Sequence, residues 1–87
     1  MTVTQIVGLL KLKLGIATTV QDERLTHLVE AIMDEMEIEK GIVLNLDNQR
    51  HTSFITDYAE YRYRNVGEDF PRYLMHRYYS LFLKDTP

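Results

Sequence analysis

Residues 54–83 read FITDYAEYRYRNVGEDFPRYLMHRYYSLFL, and this stretch decides the fold. Apolar and aromatic side chains recur at three- and four-residue intervals on both sides of one short polar segment, residues 65–69. That spacing places each apolar set on one face of a helix. Gly67 suits the left-handed position after a helix end, and Pro71 suits the first turn of the next helix. The stretch therefore predicts two helices, and the short connection between them predicts an antiparallel hairpin.

The N-terminal part continues the helical pattern. Residues 3–14 carry an apolar stripe, which Leu9 and Leu12 widen, so this helix can be covered on more than one side. Thr2 or Thr4 can cap its start, and the glycine directly after it can end it. A first helix is therefore predicted over residues 3–14.

A second amphipathic helix is predicted over residues 20–40. Thr19, with Asp22 three residues further on, resembles a capping box at its start. One side is apolar, and Glu35 is assigned with the other acids to the opposite side. Residues 22–40 carry seven acidic side chains against two basic ones, a local charge of −5, whereas the whole chain carries −3. The acidity of the protein is thus concentrated on this helix.

The remaining segments complete a four-helix pattern. Residues 42–48 mix apolar and turn-forming side chains, which predicts a loop pinned by its apolar residues. Further helices are predicted over residues 50–65 and 70–83. The 87 residues allow one domain, residues 1–87, with a thin core. The fold prediction is a single all-α domain, a small bundle of about four helices. The residues expected to be largely buried are Leu28, Ile32, Tyr58, Leu74 and Tyr78.

Composition narrows the class of protein. The hydrophobic fraction of 45% and the charged fraction of 26% are those of an ordinary globular domain. The absence of cysteine favours a reducing, cytoplasmic setting and excludes zinc sites built on thiolates. No stretch approaches the roughly 18 apolar residues that span a bilayer, so no membrane partner is expected. The net charge of −3 argues against a general nucleic-acid binder.

The sequence predicts no catalytic, cofactor-binding or metal site. One face of the second helix carries possible metal ligands at helical spacing: Glu23, His27, Glu30 and Asp34. A metal site in a bundle needs such ligands on several facing helices, so a solvated face is the favoured interpretation. The two histidines of the C-terminal half have no nucleophile–base spacing around them, and the four glycines form no phosphate-binding loop. We expect no enzymatic activity.

Tyrosines and arginines alternate in the C-terminal half. Six tyrosines lie between residues 58 and 79, and four arginines lie between residues 62 and 77. Such a mixture can stack nucleic-acid bases, can form a protein interface, or can reflect core tyrosines whose hydroxyls reach the surface. Residues 51–87 carry five basic and five acidic side chains, so this half is neutral. A core or interface role is therefore favoured over nucleic-acid binding.

Two segments resemble the small head–tail connector (adaptor) proteins of tailed bacteriophages. One is the leucine-rich first helix ending in Leu14-Gly15-Ile16, followed by the acidic start Asp22-Glu23 and an apolar run over residues 25–32. The other lies between residues 57 and 74 and contains DYAEYRYRN, GE and PRYL. Connectors of phages that infect low-GC Gram-positive bacteria carry a similar string. The similarity in order and spacing covers nearly the whole chain.

The resemblance implies an all-α fold, no enzymatic activity and no cofactor. It implies a structural virion protein that docks as a dodecameric ring beneath the portal, extends the DNA channel and allows tail joining. The implied partners are further copies of the chain, the portal protein and a downstream tail-completion or stopper protein. DNA would pass through the channel without sequence-specific binding. Such a protein assembles in the host cytoplasm and resides at the head–tail interface of the virion.

Two candidate surfaces follow from this interpretation. We expect the tyrosine–arginine side of the hairpin to supply a subunit interface. We expect the acidic second helix, or the loop of residues 42–48, to face the DNA channel or the next ring. In the channel, the charge of the helix would repel the phosphates and let the duplex slide. The interface candidates are Tyr61, Arg64, Tyr73 and Arg77, and the channel candidates are Glu30, Asp34 and Glu37.

The alternative is a small regulatory helical protein, nucleic-acid-binding or antitoxin-like. Such a protein needs a basic recognition helix. The most basic stretch, residues 62–77, is offset by Glu68 and Asp69. The connector interpretation is therefore preferred.

Overall fold

Four helices make up the computed structural model, which describes residues 1–65 and 72–83. The bundle thus has the all-α architecture predicted from the sequence, and the described residues include no strand. None of the described helices combines the length and the apolar composition that a membrane span needs. The helices are α1 (Val3–Leu14), α2 (Asp22–Asp34, continued by a π-helical turn over Glu35–Glu39), α3 (Gln49–Arg64) and α4 (Arg72–Tyr78, continued by a π-helical turn over Tyr79–Leu83).

Both ends of α1 are capped as its sequence predicts. The Thr2 hydroxyl accepts a hydrogen bond from the Gln5 amide at 3.2 Å, and the Gln5 side chain accepts one from the Thr2 amide at 2.8 Å. This reciprocal pair is a capping box, so Thr2 is the cap of the two threonines considered. At the other end, Gly15 adopts a left-handed conformation with φ 72°.

The start of α2 differs from the prediction, because Thr19 and Asp22 form no capping box. The residue before the helix is Gln21, which makes no side-chain capping hydrogen bond. The Asp22 carboxylate is instead held by Lys11 of α1, whose Nζ lies 2.7 Å away. The Gln21 side chain accepts a hydrogen bond from the Tyr63 hydroxyl at 2.6 Å. A contact between helices therefore takes the Asp22 side chain, which a local cap would have used.

The hydrophobic core lies between α1, α2 and α3, each of which packs against the other two, while α4 packs on α3. Most of the core side chains are removed from solvent entirely. Burying a side chain of this size contributes roughly 1.5–3 kcal/mol. The fully buried apolar residues are Ile6, Leu10, Leu25, Val29, Ile32, Met36, Phe54, Ile55, Ala59 and Leu74.

Three of the five residues expected in the core are buried. Ile32 and Leu74 are fully buried, and Tyr58 is 6% exposed. Leu28 and Tyr78 are half-buried against the core, so they are less deeply buried than the other three. Leu28 lies at the edge of the apolar stripe of α2, and Tyr78 lies on α4, which is the peripheral helix of the bundle.

The segment between α2 and α3 is a loop held by its apolar residues, as predicted. Ile42 is buried, and Leu44 and Leu46 are half-buried against the core. The Leu46 carbonyl also accepts a hydrogen bond from the amino group of Met1 at 3.0 Å. Asn48 ends the loop by capping α3 through its side chain.

The contacts between α3 and α4 run in opposite directions along the two helices. Asp57, in the middle of α3, pairs with Arg77 of α4. His51, closer to the start of α3, lies 4.9 Å from Phe82, beyond the end of α4, between ring centroids. The glycine and the proline predicted to form the turn fall outside the described residues, so the hairpin itself stays a prediction.

Candidate interaction surfaces

The Asp57 carboxylate joins three helices. Lys13 of α1 places its Nζ 2.9 Å from Oδ1, and the Arg77 guanidinium of α4 donates to Oδ2. Arg77 also donates to the Ser53 hydroxyl at 3.3 Å, and it lies 5.8 Å from the Phe54 ring centroid. Burial acts to raise the pKa of Asp57, but the hydrogen bonds from Arg77 and Lys13 outweigh it and hold that pKa below its usual value. Asp57 therefore ties the bundle together as a carboxylate.

A second polar cluster joins the end of α2 to α3. Burial and the hydrogen-bonded Glu35 carboxylate raise the pKa of Tyr58 to about 12. Arg62 completes the cluster, with its NH1 3.6 Å from Glu35 and its guanidinium 5.7 Å from the Tyr58 ring centroid. The assignment of Glu35 to the solvent face is therefore wrong. This residue lies where α2 passes into its π-helical turn, at the edge of the buried stripe, and it is half-buried.

The four residues predicted to form a subunit interface lie in different environments. Arg64 is exposed and bonded within the bundle, to Glu60 at 3.6 Å and to the backbone of α1. Tyr73 is 57% exposed. Tyr61 and Arg77 are half-buried, and Arg77 holds the Asp57 carboxylate. Arg64 and Tyr73 are thus the members of the set that a partner can reach most directly.

The acidic residues predicted to face a channel are all exposed. Two of the seven acids on this helix are used inside the bundle, Asp22 by Lys11 and Glu35 by Arg62. The other five form no ion pair within the part of the chain that the structure describes. Nor do the described residues include a group of three or more possible metal ligands placed to hold an ion. The exposed acids, which we call the acidic face, are Glu23, Glu30, Asp34, Glu37 and Glu39.

A groove runs between α1, α3 and α4. Its first part has a volume of about 380 Å³ and lies between α1 and α3. Leu9 and Leu12, which are 38% and 79% exposed, form its apolar wall. Gln49 and Ser53 of α3 line this part and also the adjoining second part. Because α1, α2 and α3 each pack on the other two, a groove between α1 and α3 lies opposite the outer side of α2, which carries the acidic face.

The second part of the groove is cationic. It has a volume of about 450 Å³ and is lined by Arg50 and Arg77, together with two serines. Arg77 is engaged by Asp57, whereas Arg50 is exposed and forms no ion pair among residues 1–65 and 72–83. We call the two parts together the α1–α3 groove. It combines an apolar wall with a cationic end, a combination suited to an acidic, partly apolar partner.

Sequence reasoning did not identify the groove. The broad apolar stripe of α1, with Leu9 and Leu12 beyond its buried face, was the one signal that this helix is covered on a further side. Comparison with protein-family models, with curated proteins and with solved structures found no match to this chain.

Proposed function

We propose that this chain is a structural assembly subunit, a head–tail connector of the bacteriophage kind that forms a ring beneath the portal. The observation that carries the proposal is the polarity of its surface, with an acidic face on α2 and the α1–α3 groove on the opposite side. A closed ring of identical subunits needs two different, complementary faces on each subunit. The resemblance of residues 57–74 to connector sequences supports the same function.

In this proposal the ring extends the DNA channel of the portal and receives a tail-completion or stopper protein on its other side. Arg64 and Tyr73, the exposed members of the predicted subunit interface, supply contacts to a neighbouring copy in the ring. An aromatic side chain and a guanidinium are suited to such contacts, because they combine a large contact area with directed hydrogen bonds. The acidic face either borders the channel, where it repels DNA, or meets the next subunit.

The rival function is a small regulatory protein that binds nucleic acid. That function needs cations free to contact phosphates. Several of the cations that could serve it are held by carboxylates of the bundle. The basic residues paired in this way are Lys11, Lys13, Arg62, Arg64 and Arg77. This pairing favours the structural role over the regulatory one.

Deletion of the gene from the phage that carries it tests the proposal. We expect heads that fill with DNA but carry no tails, because the connector acts after packaging. The control is restoration of tail joining by the wild-type chain supplied in trans. Empty heads, or normally tailed particles, would contradict the connector function. Retardation of duplex DNA by the purified protein at physiological salt would support the regulatory rival instead.

A further inference from the structure

We infer that the α1–α3 groove of one copy binds the acidic face of a second copy. The inference rests on the proposed ring function and identifies the contact between neighbouring subunits. Of the two roles given above for the acidic face, it selects contact with the next subunit over a position at the DNA channel.

The acidic face contains a row of carboxylates along one side of α2, which we call the ridge, and an exposed apolar side chain lies beside it. Glu30, Asp34 and Glu37 follow one another at intervals of four and three residues, so they project from one side of the helix. That side is opposite the stripe that packs into the core, because the buried residues of α2 occupy the other positions. Beside the ridge, Ile38 is 78% exposed. The ridge therefore offers several carboxylates and one large aliphatic side chain together.

The groove matches both features of the ridge. Leu9 and Leu12 provide an apolar wall on which an aliphatic side chain can pack. Lys13 and Arg77 share the single carboxylate of Asp57, which leaves one positive charge uncompensated at this place. Arg50 adds a second positive charge within the same groove. An acidic ridge with one apolar residue complements a cationic groove with one apolar wall.

The placement of the two surfaces makes the contact heterologous. In a bundle where α1, α2 and α3 each pack on the other two, the outer side of α2 and the groove between α1 and α3 lie on opposite sides. Two copies joined in this way leave one free groove and one free acidic face at the ends. Further copies can add in the same direction until a ring closes. The complementary charge is present on the chain itself, so a second copy is the occupant to which the structure points.

The absence of cysteine allows a direct test. Asp34→Cys marks the acidic face, Gln49→Cys marks the groove, and Thr18→Cys in the exposed α1–α2 connection serves as the control. Each variant, alone and in pairwise mixtures, is treated with a short bis-maleimide at high protein concentration. We expect cross-linked dimers mainly in the mixture of Asp34→Cys with Gln49→Cys. Cross-linking of Asp34→Cys alone to the same extent, or an equal yield with Thr18→Cys, would overturn the inference.

Charge reversal gives a second readout. Arg50→Glu in the groove copy should lower the cross-linking yield about fivefold, because an exposed ion pair contributes up to about that factor. Glu30→Arg in the copy bearing Asp34→Cys should restore much of the loss. Neither residue forms an ion pair within the described part of its own chain, so melting temperatures should stay unchanged. Yields insensitive to both reversals would contradict the assigned contact.

The outcomes separate this inference from the proposed function. Rings seen by electron microscopy on purified portal, with no cross-link between position 34 and position 49, would overturn the inference and leave the connector function standing. Cross-linked dimers from a chain whose deletion leaves tail joining intact would show the contact but contradict the connector function.

Discussion

The two glycines of the α1 region, Gly8 and Gly15, differ in whether their backbone conformation requires glycine. Gly8 is exposed in the middle of α1, and a Cβ added there would meet no atom within 4 Å. Gly15 has the same open surroundings, but its φ of 72° is in the left-handed region. The side-chain space is thus equal at the two positions, and only the backbone conformation differs.

We therefore expect the same substitution to act in opposite directions at these positions. Gly8→Ala should raise the free energy of unfolding by about 1 kcal/mol, because alanine is the better helix former. Gly15→Ala should lower it by roughly 1–2 kcal/mol, because a Cβ is strained in the left-handed conformation. Urea denaturation of the two variants measures both effects, and changes of equal sign would contradict the assignment of the end of α1.

Asp57 gives a prediction about pH. Because its pKa is lowered in the folded state, its carboxylate stabilises the protein at pH values above the pKa of the unfolded chain. That contribution is lost as the pH falls through the lower folded-state pKa. Asp57→Asn should cost about 1.5–3 kcal/mol near neutral pH, the range of a hydrogen bond to a charged group. The cost should shrink toward pH 3, which denaturation curves at several pH values would measure.

Glu60 provides the control for this prediction. It lies on the same helix and pairs with Arg64 at 3.6 Å in an i, i+4 arrangement. Such a pair contributes only a few tenths of a kcal/mol. Glu60→Gln should therefore leave the stability nearly unchanged at neutral pH. If it costs as much as Asp57→Asn, the interhelical ion pairs are not what makes Asp57 important.

At the scale of the helices, α2 shows what a helical stripe can and cannot predict. Periodicity places Leu25 and Leu28 on the same side of the helix, but only the contact with α1 and α3 determines which of them is central. Leu25 is fully buried, and Leu28 is half-buried at the edge. The rotation of a helix about its axis depends on packing with its neighbours, which the sequence of one helix does not contain.

Leucine-to-alanine substitutions on α2 measure this difference. Leu25→Ala should lower the free energy of unfolding by roughly 2–5 kcal/mol, because it leaves a cavity in a well-packed site. Leu28→Ala should cost clearly less, because solvent already reaches part of this side chain. Thermal denaturation of both variants gives the comparison. Equal losses would mean that α2 is rotated relative to the arrangement described above.

The same limit explains the polar clusters. The positions of all four helices follow from local signals, namely the apolar period, the caps at Thr2 and Asn48, and the glycine after α1. The pairing of Lys13, Asp57 and Arg77 depends instead on three helices meeting at one point. Asp57 resembles any surface acid of a helix when its sequence neighbours alone are considered. Interhelical partners of this kind become visible only once the helices are packed.

At the scale of the whole molecule, the charges are divided into those that hold the bundle and those that remain at its surface. Asp22 and Asp57 are paired with cations of neighbouring helices and Glu60 with a cation of its own helix, whereas the acids of the acidic face form no ion pair among the described residues. Of the seven acids of residues 22–40, two are therefore neutralised by cations of the bundle, and the other five keep their charge at the surface. The groups that stabilise the bundle and the exposed acids can therefore be changed separately.

The predicted interface residues allow that separation to be tested, because Tyr73 is exposed while Arg77 holds Asp57. Arg77→Ala should lower the melting temperature by several degrees, since it removes a charged hydrogen-bond partner from a small domain. Tyr73→Ala should leave the melting temperature within about a degree, because surface substitutions usually change stability little. It should nevertheless weaken assembly of the ring on purified portal, measured by co-sedimentation, because exposed tyrosines are frequent interface anchors. Unchanged co-sedimentation of the Tyr73→Ala chain with portal would contradict the assignment of Tyr73 to the interface. A large fall in the melting temperature of this variant would show instead that Tyr73 contributes to the packing of the bundle.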